Sequence, residues 1–149
     1  PILLGEFGIA DGAVGGTEWL GKVMNIVDEE RYSTTLWEYS VSAERWNLEN
    51  LSVVNDDGTP RAVLDAYVRP WLRAVAGDDP SFSWDAEAGA VARWTAREGT
   101  TEIRLPTGLF GEATAIEASD GVCFTHDVER GELRVQAPVG TAVTVTVRR

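Results

Sequence analysis

The 149 residues can bury a sizeable core, and their hydrophobic (44%) and charged (25%) shares are those of an ordinary globular protein. A net charge of −11 argues against nucleic acid as a partner and against attraction to anionic membranes. One cysteine, Cys123, and one histidine, His126, exclude an internal disulfide and leave no Cys/His-rich centre, so no metal and no cofactor is expected.

In chain order, Pro1-Ile2-Leu3-Leu4-Gly5-Glu6-Phe7-Gly8 is a short apolar run that predicts a strand buried on both faces. Glu6 stands where that strand stops, between two glycines that leave room for a substrate and for a turn. In a (β/α)8 barrel the chemistry sits at this carboxyl-terminal rim, which makes Glu6 the first candidate for a catalytic nucleophile. Residues 9 to 16 form a Gly-rich loop, after which Thr17 is expected to cap a helix from about Glu18 to Arg31. Trp19, Leu20, Val23, Met24 and Val27 lie on one side of that helix. A second strand is predicted from Thr34 to Tyr39, and after a long loop Thr59-Pro60 is expected to start a helix running to about Val68. Two consecutive βα units result, each with its polar or aromatic residues at the strand's end.

The character changes near Gly77-Asp78-Asp79-Pro80, where turn residues cluster. Seven short runs follow: Phe82 to Trp84, Ala90 to Arg97, Thr101 to Leu105, Glu112 to Ala118, Val122 to Thr125, Glu132 to Gln136 and Ala142 to Val147. Short alternating strands punctuated by glycine predict an antiparallel β-sandwich with Trp94, Val135 and Val145 in its core. Cys123 is read there as a small buried hydrophobe. Trp84 and Trp94 raise a second reading, a non-catalytic carbohydrate- or lipid-binding module, which requires two coplanar exposed rings on one sheet. Core positions are the stronger expectation for both. No apolar run is long enough to span a bilayer, and the chain opens inside a structural element, so the lack of a leader carries no weight.

Gly5-Glu6-Phe7-Gly8, Trp37-Glu38-Tyr39-Ser40 and the junction Val68-Arg69-Pro70-Trp71-Leu72-Arg73-Ala74-Val75-Ala76-Gly77 resemble the last third of an endoglycoceramidase, a retaining glycosidase of glycoside hydrolase family 5. The resemblance implies an α/β plus all-β chain. Residues 1–77 would be the last two βα units of a TIM barrel (strands seven and eight), and 78–149 a β-sandwich domain. It implies Glu6 as nucleophile, Trp37 lining the sugar site, and Glu38 or Tyr39 hydrogen-bonding sugar hydroxyls. Phe7 and the Ala13-Val14-Gly15-Gly16 loop are apolar enough to line a lipid channel, and equally consistent with plain packing. Arg69 and Arg73 are read as ion-pair or backbone-capping residues.

One departure is decisive. A retaining glycosidase needs two carboxyl groups about 5 Å apart, one to attack and one to protonate the leaving oxygen. The family's acid/base Glu lies in Asn-Glu-Pro, which this chain lacks; Asn47-Leu48-Glu49-Asn50-Leu51 does not match it. Two βα units cannot close an eight-stranded barrel. The expected partners are therefore a glycosphingolipid substrate and an N-terminal segment carrying strands one to six, with contact to a membrane surface left open. The isolated chain is expected to be inactive. A family member acting on soluble glycans is the alternative substrate reading. One Lys against twelve Arg points to a bacterial source of high GC content, and the resemblance implies a secreted, extracellular enzyme.

Overall fold

The computed structural model describes residues 2–40 and 49–149, so Asn47 and Leu48 lie outside the described residues. The chain divides into two compact units, Pro1–Val68 and Arg69–Arg149.

In the first unit, β1 (Leu3–Phe7) and β2 (Ser33–Leu36) pair in parallel, with α1 (Gly16–Glu30) between them in sequence. Parallel neighbours need a long crossover, and α1 supplies it. Leu20, Met24 and Val27 recur at helical spacing and are buried with Val53, Val54 and Val63, each apolar side chain contributing roughly 1.5–3 kcal/mol on full burial. The helix starts earlier than Thr17 predicts. Gly15 is its N-cap, in the left-handed conformation at φ 73, and no side chain caps it. Trp19 is 45% exposed, against the expectation of a core position, because the buried stripe runs one residue further round the helix. β1 is likewise open on one face, with Leu3 63% exposed. The helix expected from Pro60 is the shorter α2 (Val63–Tyr67). Pro60 instead bridges Val54 in extended backbone, where the Asn55–Thr59 turn delivers it: the Asn55 N–H donates to the Thr59 carbonyl at 2.8 Å.

The second unit holds two four-stranded antiparallel sheets. One has the order β4-β5-β10-β7 and the other β3-β6-β9-β8. The strands are β3 (Trp71–Ala74), β4 (Gly77–Asp85), β5 (Gly89–Ala96), β6 (Thr101–Arg104), β7 (Ala115–Ala118), β8 (Cys123–Asp127), β9 (Glu132–Gln136) and β10 (Ala142–Arg148). Period-2 alternation places Ala92, Trp94 and Ala96 inward with Val143, Val145 and Val147, while Arg93 and Thr95 face out. Ile103, Leu105, Leu133 and Val135 complete the core from the other sheet.

The boundary is earlier than the expected 77/78 division. β3 pairs with β6, which brings Trp71–Ala74 into the sandwich. Gly77–Pro80 is no linker: it opens β4, whose register shifts between Asp78 and Ser81. Asp79 sits there at φ 48, and Pro80, which has no N–H to donate, is tolerated at such a bulge. Cys123 is exposed rather than buried, on strand β8, which ends its sheet and pairs only with β9. Trp94 is buried, and Trp84 is half-buried, packed on Phe110 at 5.8 Å with the Arg149 guanidinium 5.7 Å over its ring. The two rings therefore do not form the exposed pair that the binding-module reading requires.

Candidate active site

β1 and β2 end on the same side because they run parallel, and the candidate residues gather at that end. The register runs Leu4 to Thr34 and then Phe7 to Leu36, so Gly5 and Glu6 together face Thr35. This is a β-bulge, a device that re-aims one side chain at the end of a strand. Glu6 adopts φ 47 within it, a left-handed conformation that is rare for a residue with a long side chain. Its N–H donates to Thr35 Oγ1 at 3.3 Å, and the residue is exposed. Strain of this kind costs about 1–3 kcal/mol and persists where surrounding structure holds it, often at functional positions.

Trp37 follows directly on β2. Its N–H donates to the Phe7 carbonyl at 2.8 Å, which fixes the two strand ends to each other. Gly8 is required at this crossing: a Cβ there would collide with the Trp37 carbonyl oxygen. Trp37 is half-buried, and its peptide bond to Glu38 is cis. Phe7 packs on the Tyr67 ring at 6.3 Å, and the Tyr67 hydroxyl lies 3.3 Å from Thr34 Oγ1, so α2 backs the sheet. Phe7 is thus held by packing. Val14, at the tip of the Gly-rich loop, is fully exposed.

Glu38 is half-buried and bonded through its backbone on both sides. Its N–H donates to the Leu51 carbonyl at 3.4 Å, and its carbonyl accepts from the Val53 N–H at 3.0 Å. Tyr39 is 75% exposed. Ser40 is tied to Ser52, which is fully buried: Ser52 Oγ donates to the Ser40 carbonyl at 2.5 Å and accepts from the Ser40 N–H at 3.2 Å.

The structure therefore brings Glu6 and Trp37 to adjacent strand ends and sets Glu38 and Tyr39 immediately after them. The arrangement offers one exposed carboxylate on a rigid strand end, next to an indole and an exposed phenol. That suits nucleophilic attack on a bound sugar, and the carboxylate that attacks cannot also protonate the leaving group. No local motif marks the supporting residues Ser52 and Arg61, whose partners include Ser40 and Asp11 in other segments. Among the described residues no group of three or more His, Cys, Asp or Glu side chains is placed to hold a metal ion, and no helix is long and apolar enough to cross a membrane. In the sandwich, Arg73 is an ion-pair residue, 3.1 Å from Glu102 and 3.9 Å from Glu132.

No protein-family model matches the chain, and no curated protein does. Solved structures do. Endo-glycoceramidase II from Rhodococcus sp. matches with a TM-score of 0.78 and 26% identity, over 99% of this chain and 33% of that one. The same enzyme as a lactosyl-enzyme intermediate matches at 0.77 and 25% identity, over 99% of this chain and 32% of that one. Its ganglioside GM3 complex matches at 0.76 and 25%, over 99% of this chain and 31% of that one. The chain thus spans about a third of the length of the structures it matches, consistent with the C-terminal part of an endoglycoceramidase.

Proposed function

We propose that this chain is the C-terminal part of a retaining endo-β-glycosidase that cleaves the bond between oligosaccharide and ceramide in glycosphingolipids. The observation that carries the proposal is the likeness, over 99% of the chain, to an endo-glycoceramidase captured as a lactosyl-enzyme intermediate. A covalent glycosyl-enzyme belongs to the retaining mechanism, in which a carboxylate attacks the anomeric carbon. Glu6 is that carboxylate. Its strand end, bulge and left-handed backbone support the role, and Trp37 offers its ring face to the reacting sugar while Glu38 and Tyr39 hydrogen-bond hydroxyls. Attack by Glu6 breaks the bond to the ceramide oxygen, which leaves as an alcohol once an acid/base Glu protonates it. That Glu then takes a proton from water, and the water releases the glycan with retained configuration.

The acid/base Glu is supplied by a segment carrying the other barrel strands, so β1 and β2 are strands seven and eight of a (β/α)8 barrel. Apolar surface on the first unit supports this: Ile2 and Leu3, at the start of β1, and Trp19 and Ile26, along one side of α1, are exposed. Neighbouring barrel strands and helices would cover it. The division between barrel part and sandwich then falls at Val68/Arg69. The extracellular, bacterial setting belongs to the same reading.

The enzyme that contains this chain should release ceramide from a fluorescent glycosylceramide with retention at the anomeric carbon. Glu6→Gln should abolish turnover. The chain without the complementary segment should be silent, since general acid catalysis is typically worth about 10²–10⁴-fold. Undiminished turnover by Glu6→Gln would overturn the nucleophile assignment, and turnover by the isolated chain would overturn the division of the two carboxylates.

A further inference from the structure

Arg61 stands just ahead of α2 with its side chain only 9% exposed. Its guanidinium meets oxygens from four places in the chain. Nη1 donates to Asn50 Oδ1 at 2.8 Å and to the Ser52 carbonyl at 3.1 Å. Nε donates to Asn55 Oδ1 at 3.1 Å and lies 3.9 Å from Asp11 Oδ2. The backbone joins in, with the Arg61 N–H donating to the Val53 carbonyl at 2.9 Å.

The segment so held, Asn50 to Val53, touches both rims of the candidate site. On one side the Asn50 carbonyl accepts the Asp11 N–H at 3.0 Å, and Asp11 belongs to the loop that follows Glu6 and β1. On the other side Leu51 and Val53 bond the Glu38 backbone, and Ser52 bonds Ser40. Asn50 adopts φ 53, a left-handed conformation that asparagine tolerates better than most residues, and in it the side chain reaches Arg61 while the carbonyl reaches Asp11.

We propose that Arg61 is the positioning residue of this site. One planar guanidinium fixes Asn50–Val53, and that segment sets Glu38 and Tyr39 against the loop behind Glu6. The proposal rests on the reading of that site as the sugar-binding rim. Arginine is the residue for the task because its five donors lie in one rigid plane and reach separate acceptors together, which a lysine ammonium cannot reproduce. The chain's acidity does not account for it: the nearest carboxylate is half-exposed Asp11, and the other side-chain and main-chain acceptors are neutral amides.

The test compares Arg61→Lys, Arg61→Met and Asn50→Gly in the enzyme containing this chain, each assayed on glycosylceramide well below its own melting temperature. Asn50→Gly keeps the left-handed backbone and removes only the acceptor. Misplacing substrate-contacting groups by about 1 Å costs up to roughly 100-fold, so kcat/KM should fall about 10- to 100-fold in the folded variants. KM should carry much of the loss, because Glu38 and Tyr39 bind the glycan before as well as during reaction. Arg61→Lys should recover little. A merely stabilising arginine would lower the melting temperature and leave kcat/KM within about twofold of wild type, and that result in both Arg61→Lys and Asn50→Gly overturns the proposal. Glu6→Gln separates the two failures. If it abolishes turnover while these variants do not affect it, only the positioning role falls. If it leaves turnover intact, the site itself has been misassigned.

Discussion

Replacing Ser52 by alanine tests how the segment bearing Glu38 and Tyr39 is held. Ser52 has 0% exposure, and its hydroxyl makes three hydrogen bonds: to the Ser40 carbonyl at 2.5 Å, and from the N–H groups of Ser40 and Val54, each at 3.2 Å. Val54 is 2% exposed, so no water takes over its N–H when the hydroxyl is gone. A hydrogen bond contributes about 0.5–1.5 kcal/mol net, and a buried donor stripped of its acceptor costs about 1–3 kcal/mol. The half-buried Ser40 recovers part of its loss through solvent, which places the whole effect at about 2–4 kcal/mol. Against a typical total of about 5–15 kcal/mol this is a large fraction. Equilibrium urea unfolding should show the midpoint moving down by roughly 1–2 M at unchanged slope. A loss under about 0.5 kcal/mol at unchanged slope would refute the description of Ser52 as a buried hub.

Three further outcomes follow from individual residues. Glu6→Gly removes the left-handed strain at φ 47. Set against glycine's entropic cost of about 0.5–1 kcal/mol, it should stabilise the protein by roughly 0.5–1 kcal/mol while abolishing turnover; destabilisation in a thermal melt would contradict the strain argument. Trp94→Ala, at 5% exposure in the sandwich core, should cost about 3–5 kcal/mol in denaturant unfolding, whereas a cost below about 1 kcal/mol would mean that Trp94 is not a core residue. The Ala88 and then Glu87 backbone N–H groups hold the Asp85 carboxyl below its usual pKa. A depressed folded pKa gives stability that is present above the unfolded value and lost as pH falls through the folded one. The stability difference between wild type and Asp85→Asn should therefore shrink on acidification below the ordinary carboxylate range; a difference that stays constant with pH would contradict the assignment.

The two strand ends of the candidate site were legible in the sequence where their signal was local. An apolar run ending in Gly-Glu, and a second ending in Trp-Glu-Tyr, located two strand ends without any knowledge of what lay beside them. Period-2 alternation around Trp94 and Val145 revealed the sandwich core for the same reason. β3 was hidden because Trp71-Leu72-Arg73-Ala74 is short, follows Pro70 and shows no clean alternation; only its pairing with β6, some thirty residues away in sequence, makes it a strand. Asp79-Pro80 looked like a linker because turn residues also build bulges. Thr17 is a good capping residue by type, yet Gly15 is the N-cap, and a Cβ at Gly16 in the first turn would crowd Ile9. Ser52 and Arg61 were illegible because nothing in their neighbourhood announces partners as distant as Ser40 and Asp11.

Covalent trapping asks whether Glu6 is the carboxylate that attacks the sugar. A fluorinated glycoside that slows the second step should accumulate a glycosyl-enzyme, and peptide mass spectrometry should place the sugar on Glu6. Label on any other carboxylate, or turnover with retention and no label on Glu6, would contradict the account.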